Sequence, residues 1–407
     1  MLSLLADILG SAPALGDTLS NDPALLDGVL EADFFLILPS KEELENIVAD
    51  RLRYTHDYEQ KMVFLRIFNN EKRFQAGVHL LKRLASPKRI GAFLSDVAEV
   101  ILQSTMQEVW AEYTNKTSGA QILSTTPFAV LALGKLGGRE MTFGSDLDIV
   151  FLYDDAGDSA SEVRTHMARI AQRLVSAITL LSREGRLYEV DTRLRPGGSD
   201  GPLATSLTAF DAYFSSTAWT YEFMALSRAR VVATNSPDFA TRVAEIISTH
   251  IAKPRDADKL LTDMLDMRTR IAQQFPTQNP WALKHVRGGM VDLDFIAQTL
   301  LLRHAAQHPD IIKRSARGVF EVAQTHRLLS LDDAETLIAA KKFLSDLMSL
   351  QRLSAPGGAI TDDAPMGLKR LLVRGMRTKT FSALKTALEH HEANVRTMFE
   401  KMRVGAL

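Results

Sequence analysis

From about Leu2 to Asn115 apolar residues recur every three or four positions, the period of helices with one buried face. Met62, Leu65 and Phe68 mark that spacing, with Arg66 and Asn69 inside the same run. Ser40 follows Pro39 and precedes Glu42 and Glu43, which predicts a helix start capped by Ser40 with acids in its first turn. The polar stretch Thr114–Thr126, with Ser118-Gly119, reads as a domain boundary. The period then changes. Phe128–Leu133, closed by Gly134, is a short apolar run of strand length, and Leu147–Tyr153 and Leu187–Leu194 read as a second and a third strand. Between the last two, Ser161–Ser182 places Met167, Ile170, Leu174, Ile178 and Leu181 on one stripe, an amphipathic helix. After about Asn235 the helical period returns, broken near 274–280 and 355–365. The expected architecture is α+β: a small mixed sheet between two helical regions, divided as residues 1–120, 121–235 and 236–407.

Composition narrows the function without naming it. Of 407 residues, 46% are hydrophobic and 24% charged, the balance of a globular chain with a sizeable core. A formal net charge of −1 argues against a protein whose main task is gripping nucleic-acid phosphates. There is no cysteine, which excludes disulfides, thiolate metal sites and cysteine nucleophiles. No apolar run reaches membrane-spanning length, and the apolar start Met1–Ala6 meets Asp7 without a basic leader. A cytoplasmic protein without membrane partners is expected.

The chemistry concentrates around Gly134-Lys135-Leu136-Gly137-Gly138 and Gly144-Ser145-Asp146-Leu147-Asp148. At i and i+2 on a strand, Asp146 and Asp148 leave the same face, while Leu147 and Ile149 point into a core. Two adjacent carboxylates repel unless a cation lies between them, and a divalent ion with oxygen ligands resolves the conflict. Gly144, lacking Cβ, lets a phosphate approach the backbone, and the Ser145 hydroxyl adds a donor. On the third strand Glu189, Asp191, Arg193 and Arg195 are expected on one face, with Asp191 as a third metal carboxylate and the arginines against phosphate charge. Lys135 belongs to no P-loop, since Gly-x4-Gly-Lys-Ser/Thr is absent; it either touches a phosphate or sits on a surface loop. No strand leads into Gly-x-Gly-x-x-Gly, which argues against a dinucleotide fold. His56-Asp57 and His390-His391 are expected on solvated helix faces. Trp219 and Tyr221 are expected to pack between sheet and helices, with a nucleotide or acceptor pocket as the rival reading. Gly288-Gly289 with Asp292 and Asp294 reads as a helix start with acids in its first turn.

The motifs quoted above, together with Tyr188–Pro196, Ala218–Glu222, Ala225–Arg230 and Gly288–Ile296, resemble the glutamine synthetase adenylyltransferase/adenylyl-removing family, within the DNA polymerase β-like nucleotidyltransferases. The resemblance covers essentially the whole chain. It implies a nucleotidyltransferase fold and transfer of AMP from ATP to a tyrosine of glutamine synthetase, with release of pyrophosphate. Asp146, Asp148 and Asp191 would be the catalytic ligands of two magnesium ions, and Gly144, Ser145, Lys135, Arg193 and Arg195 would bind the nucleotide. Regulation by a PII signalling protein and glutamine is implied as well. The family's usual protein has two related halves, one adding AMP and one removing it by phosphorolysis. Glu189 and Ala218-Trp219-Thr220-Tyr221-Glu222 are closer to the adding, C-terminal half.

Overall fold

The computed structural model describes residues 2–30, 32–117, 125–155, 160–354 and 360–405. The middle of the expected boundary (118–124) and the start of the expected break (355–359) lie outside these. Five strands form one sheet: β1 (Phe128–Ala132), β2 (Leu147–Tyr153), β3 (Val190–Asp191), β4 (Ala204–Ser206) and β5 (Arg230–Thr234). β1 is apolar throughout and buried on both faces, so it takes the centre, antiparallel to β2 on one side and β5 on the other. The far edge of β2 is shared by two short parallel partners, β3 beside Leu147-Asp148 and β4 beside Phe151–Tyr153.

The helices Tyr58–Lys82 and Pro87–Lys116 pair as a hairpin, and the second lies against β5 and the helix Ala160–Thr179. Polar groups of the first reach the sheet. Asn69 Nδ2 donates to Leu187 O (3.0 Å) and Asn69 Oδ1 accepts from the Tyr188 hydroxyl (2.8 Å), which anchors the approach to β3. Ser40 caps the helix Lys41–Arg53, with Glu43 returning a bond to the Ser40 N–H, as its spacing predicts. After β5, helices including Met290–His304, Leu331–Ser354 and Phe381–Arg403 pack together. Leu331–Ser354 also touches Pro87–Lys116, and Leu2–Ser11 rests on Met366–Gly375. One apolar core therefore runs from Leu4 to Met402. Among the described residues no helix is long and apolar enough to cross a membrane.

The α+β architecture is as expected, with four local corrections. The third strand stops at Asp191 rather than Leu194, because the chain turns at Thr192. β4 and β5 are additional; three and five residues carry too short a period to read. The helix Ala160–Thr179 ends early, so Met167, Ile170, Leu174 and Ile178 are buried but Leu181 is exposed. His56 lies in the link before the Asp57-capped helix rather than on a helix, and His391 packs against Phe343 (ring centroids 4.4 Å).

Candidate active site

The site begins where β1 ends. The Leu133 N–H donates to Asp148 O (2.8 Å), and the chain then turns through Gly134–Gly137. Gly134 has φ +51°, and a Cβ there would meet Asp148 Oδ2 at 2.0 Å. The absent side chain is what makes room for the carboxylate. Gly144, at φ +70°, starts the turn into β2 with open space around it. Ser145 is not a free donor beside it: its Oγ accepts from the Thr142 N–H (3.0 Å), lies 2.9 Å from Thr142 Oγ1, and receives Lys135 Nζ at 3.5 Å. Lys135 Nζ also donates to Thr142 Oγ1 (3.0 Å). Lys135 is therefore half-buried and braces the turn, facing Asp146, rather than lying on a surface loop.

Parallel pairing brings the third carboxylate in. β3 places Asp191 directly opposite Asp148, fixed one step earlier by the Leu147 N–H on Glu189 O (2.9 Å). Asp146, Asp148 and Asp191 each offer an oxygen, and these lie within 4.8 Å of one another. Among the described residues no cation pairs with Asp148. Burial first, then the charges of Asp146 and Asp191, push its carboxyl up to about 6. An all-carboxylate cluster holding excess negative charge fits a hard divalent cation such as magnesium.

The family described as glutamate-ammonia ligase adenylyltransferase matches residues 2–246, well over half of the chain. The chain belongs to this family. Among curated relatives, a bifunctional glutamine synthetase adenylyltransferase/adenylyl-removing enzyme of Xanthobacter autotrophicus is 39% identical over 413 residues, covering 99% of this chain and 41% of the relative. Proteins of the same name from Bradyrhizobium sp. (38%) and Rhodopseudomonas palustris (37%) align over 412 residues each, again with 41% of the relative covered. This chain thus spans about two-fifths of the length of these relatives.

Around the triad of this adenylyltransferase-family chain, the two arginines do not share a strand face with Asp191. Arg193 folds back onto it: its N–H donates to Asp191 Oδ1 (2.8 Å) and its Nε lies 3.0 Å from both carboxylate oxygens. The side-chain bond to Arg193 is the main reason the Asp191 carboxyl lies below its ordinary range. Arg195 donates to Thr192 O, Ser199 O and Gly201 O, so it holds the 192–201 loop together. Trp219 and Tyr221 do not pack between sheet and helices; they are 67% and 46% exposed. The buried member of that segment is Glu222, which accepts from the Trp219 N–H and the Tyr213 hydroxyl (both 2.8 Å). Of the two acids expected in the first turn of the helix Met290–His304, Asp292 lies there and Asp294 falls one turn on, and they serve as ion-pair partners of Arg268 and Arg228. The residue that sequence reasoning missed is Lys284, whose charge acts on both Asp148 and Lys135. It stands in an irregular segment remote in sequence, where no period or motif marks it.

Replacing Gly134 with Ala should displace the Asp148 carboxylate while costing only about 1–3 kcal/mol for a side chain at positive φ. The expected result is a folded protein with lost magnesium binding at the triad. Circular dichroism with a magnesium titration checks it, and undiminished magnesium affinity would show that Gly134 does not shape the site.

Proposed function

We propose that this chain transfers AMP from ATP to a tyrosine hydroxyl of glutamine synthetase. The observation that supports the reading best is the convergence of Asp146, Asp148 and Asp191 beside the Gly144-Ser145 turn, in a chain of this family. The relatives' names join glutamine synthetase and adenylyl transfer, which supplies the substrates of the reading. In the reaction the tyrosine oxygen bonds to the α-phosphorus, the bond from that phosphorus to the bridging oxygen breaks, and pyrophosphate leaves with that oxygen. The tyrosine proton is released.

Asp146, Asp148 and Asp191 would hold two magnesium ions. When bound, magnesium neutralises phosphate charge and lowers the pKa of a tyrosine hydroxyl from about 10. The protein's own groups prepare that chemistry. Gly144 leaves the phosphates a close approach to the backbone, and Lys135, held by Thr142 and Ser145, sets an ammonium on the Asp146 side of the triad. Burial is the first cause that brings Lys135 down to about 8, so it remains mostly charged at neutral pH. Arg193 keeps Asp191 ionised and aims its carboxylate from the opposite side, where the acceptor would enter.

Asp191→Asn should therefore retain ATP binding and lose transfer. The check is ATP affinity by titration beside pyrophosphate release with glutamine synthetase and magnesium. Retained transfer with lost ATP binding would reverse the two sides of the site. The direction of transfer rests on Glu189 and on residues 218–222. Like-charge repulsion at Glu189 against free phosphate adds little to it, because Arg186 pairs with that carboxylate.

A further inference from the structure

A cavity of about 370 Å³ opens behind Lys135, between residues 138–142 and the helices Met290–His304 and Leu331–Ser354. That size suits a nucleoside-sized guest. Its wall is apolar where Met141, Met290 and Met348 meet, and thioethers adapt well to flat aromatic rings. Most of its cations are already paired: Arg139 with Asp96 and Glu99, Arg317 with Glu321, and Lys342 with Asp346. Arg228 and Lys341 are already satisfied, Arg228 by Asp294 (2.8 Å) and Lys341 by Glu140 (3.0 Å). Lys88, Lys135 and Lys284 form no ion pair among the described residues; Lys88 is exposed at the start of the helix Pro87–Lys116, Lys135 bonds only hydroxyls, and Lys284 is exposed at the rim.

The cavity is joined to the triad by a short chain of contacts. Lys135 and Thr142 line it, both bond Ser145 Oγ, and Ser145 precedes Asp146. Lys284 lines it too and acts electrostatically on Asp148. Of the unpaired lysines, Lys135 and Lys284 are the two whose charges act on Asp148, so the side of the chamber that they line is the side electrostatically coupled to the three carboxylates. That arrangement matches a ligand with a flat apolar body and a polyanionic tail.

We propose that this cavity receives the nucleoside of the nucleotide, with Lys284 binding the phosphate tail as it passes to the aspartates. The inference rests on the nucleotide-transfer reading above. It makes the C-terminal helices part of the nucleotide site, since Lys284 and two of the three methionines come from them or from the segment leading into them.

The test compares ATP with inorganic tripolyphosphate, each titrated calorimetrically in magnesium. Ser345 lines the cavity, and its hydroxyl has only a 4.0 Å contact with the Met290 sulfur, so Ser345→Trp fills the chamber at little cost in bonds. It should weaken ATP by about tenfold or more and leave tripolyphosphate within about twofold. Met290→Trp fills the chamber from the other wall and should give the same split, which guards against a folding failure in the first variant. Lys284→Ala should weaken both ligands by about tenfold, the loss of one charged contact. Normal ATP affinity in both tryptophan variants, or in Lys284→Ala, would overturn the proposal while leaving the transfer reading intact. Failure of the unaltered chain to bind ATP would instead overturn the transfer reading, and the proposal with it.

Discussion

Asp148→Asn is expected to abolish nucleotidyl transfer, a loss on the order of 10³-fold or more, and at the same time to stabilise the magnesium-free protein. The two effects share one cause. Asp148 is held by burial and by two like charges, so its folded pKa of about 6 lies above the ordinary 3.8. The folded state thus binds this proton more tightly than the unfolded chain does. Stability contributed by the protonated form is fully present below about pH 4 and is lost as pH rises through about 6. Above that, the ionised carboxylate costs about 3 kcal/mol. Asparagine is neutral at every pH and removes that cost. In a chelating buffer at pH 7.5 the variant should melt roughly 3 °C higher than the unaltered chain, and at pH 4 the gain should vanish. Magnesium should raise the melting temperature of the unaltered chain and not of the variant. Asp146→Asn should cost similar activity, and the double variant little more, because the two carboxylates act together. Near-normal turnover in Asp148→Asn would remove this residue from the metal site.

Asp292→Ala should damage the fold itself more than any substitution at the triad. Asp292 is fully buried, pairs with Arg268 and accepts the Gly288 N–H at 2.6 Å. Arg268 is equally buried, and one of its terminal nitrogens already lacks a partner. Removing the carboxylate leaves a guanidinium charge uncompensated in the core, at about 3–5 kcal/mol. Urea unfolding measures the loss. Replacing both residues with leucine and methionine should recover most of it, because the penalty lies in the orphaned charge and not in a missing attraction. The pair also fixes the segment that carries Lys284, through the bond from Arg268 to His285 O (3.2 Å), so ATP affinity should fall with stability in the single variant. A single variant as stable as the unaltered chain would mean that water reaches Arg268.

The features readable from sequence are those in which local pattern and chemistry coincide. Asp146 and Asp148 alternate with buried Leu147 and Ile149, so strand geometry alone places both carboxylates together. Ser40 and Glu43 form a cap whose bonds span three residues. Other features depend on where elements stop and on what distant segments bring. Periodicity would carry the third strand through Arg195. The fold ends it at Asp191, where Arg193 finds a carboxylate two residues back and Arg195 finds the carbonyls of its own loop. Leu181 belongs to a helical stripe only if the helix reaches it, and the helix ends at Thr179. Trp219 and Tyr221 look like core by residue type, yet the segment buries Glu222 instead, since its carboxylate satisfies a backbone N–H and a tyrosine hydroxyl. Lys284 comes to line the cavity and to act on Asp148 only through the packing of helices well over a hundred residues after the Gly134 turn, and no local signal could have marked it.

Whether this chain adds AMP to glutamine synthetase is tested most directly by two paired incubations with that acceptor and magnesium. In one, the unmodified acceptor meets ATP labelled at the α-phosphate. In the other, acceptor already carrying labelled AMP meets inorganic phosphate. Label should appear on a glutamine synthetase tyrosine in the first incubation, dependent on Asp146 and Asp148, with little label lost in the second. Loss of label in the second with none incorporated in the first would show that this site removes AMP and does not add it.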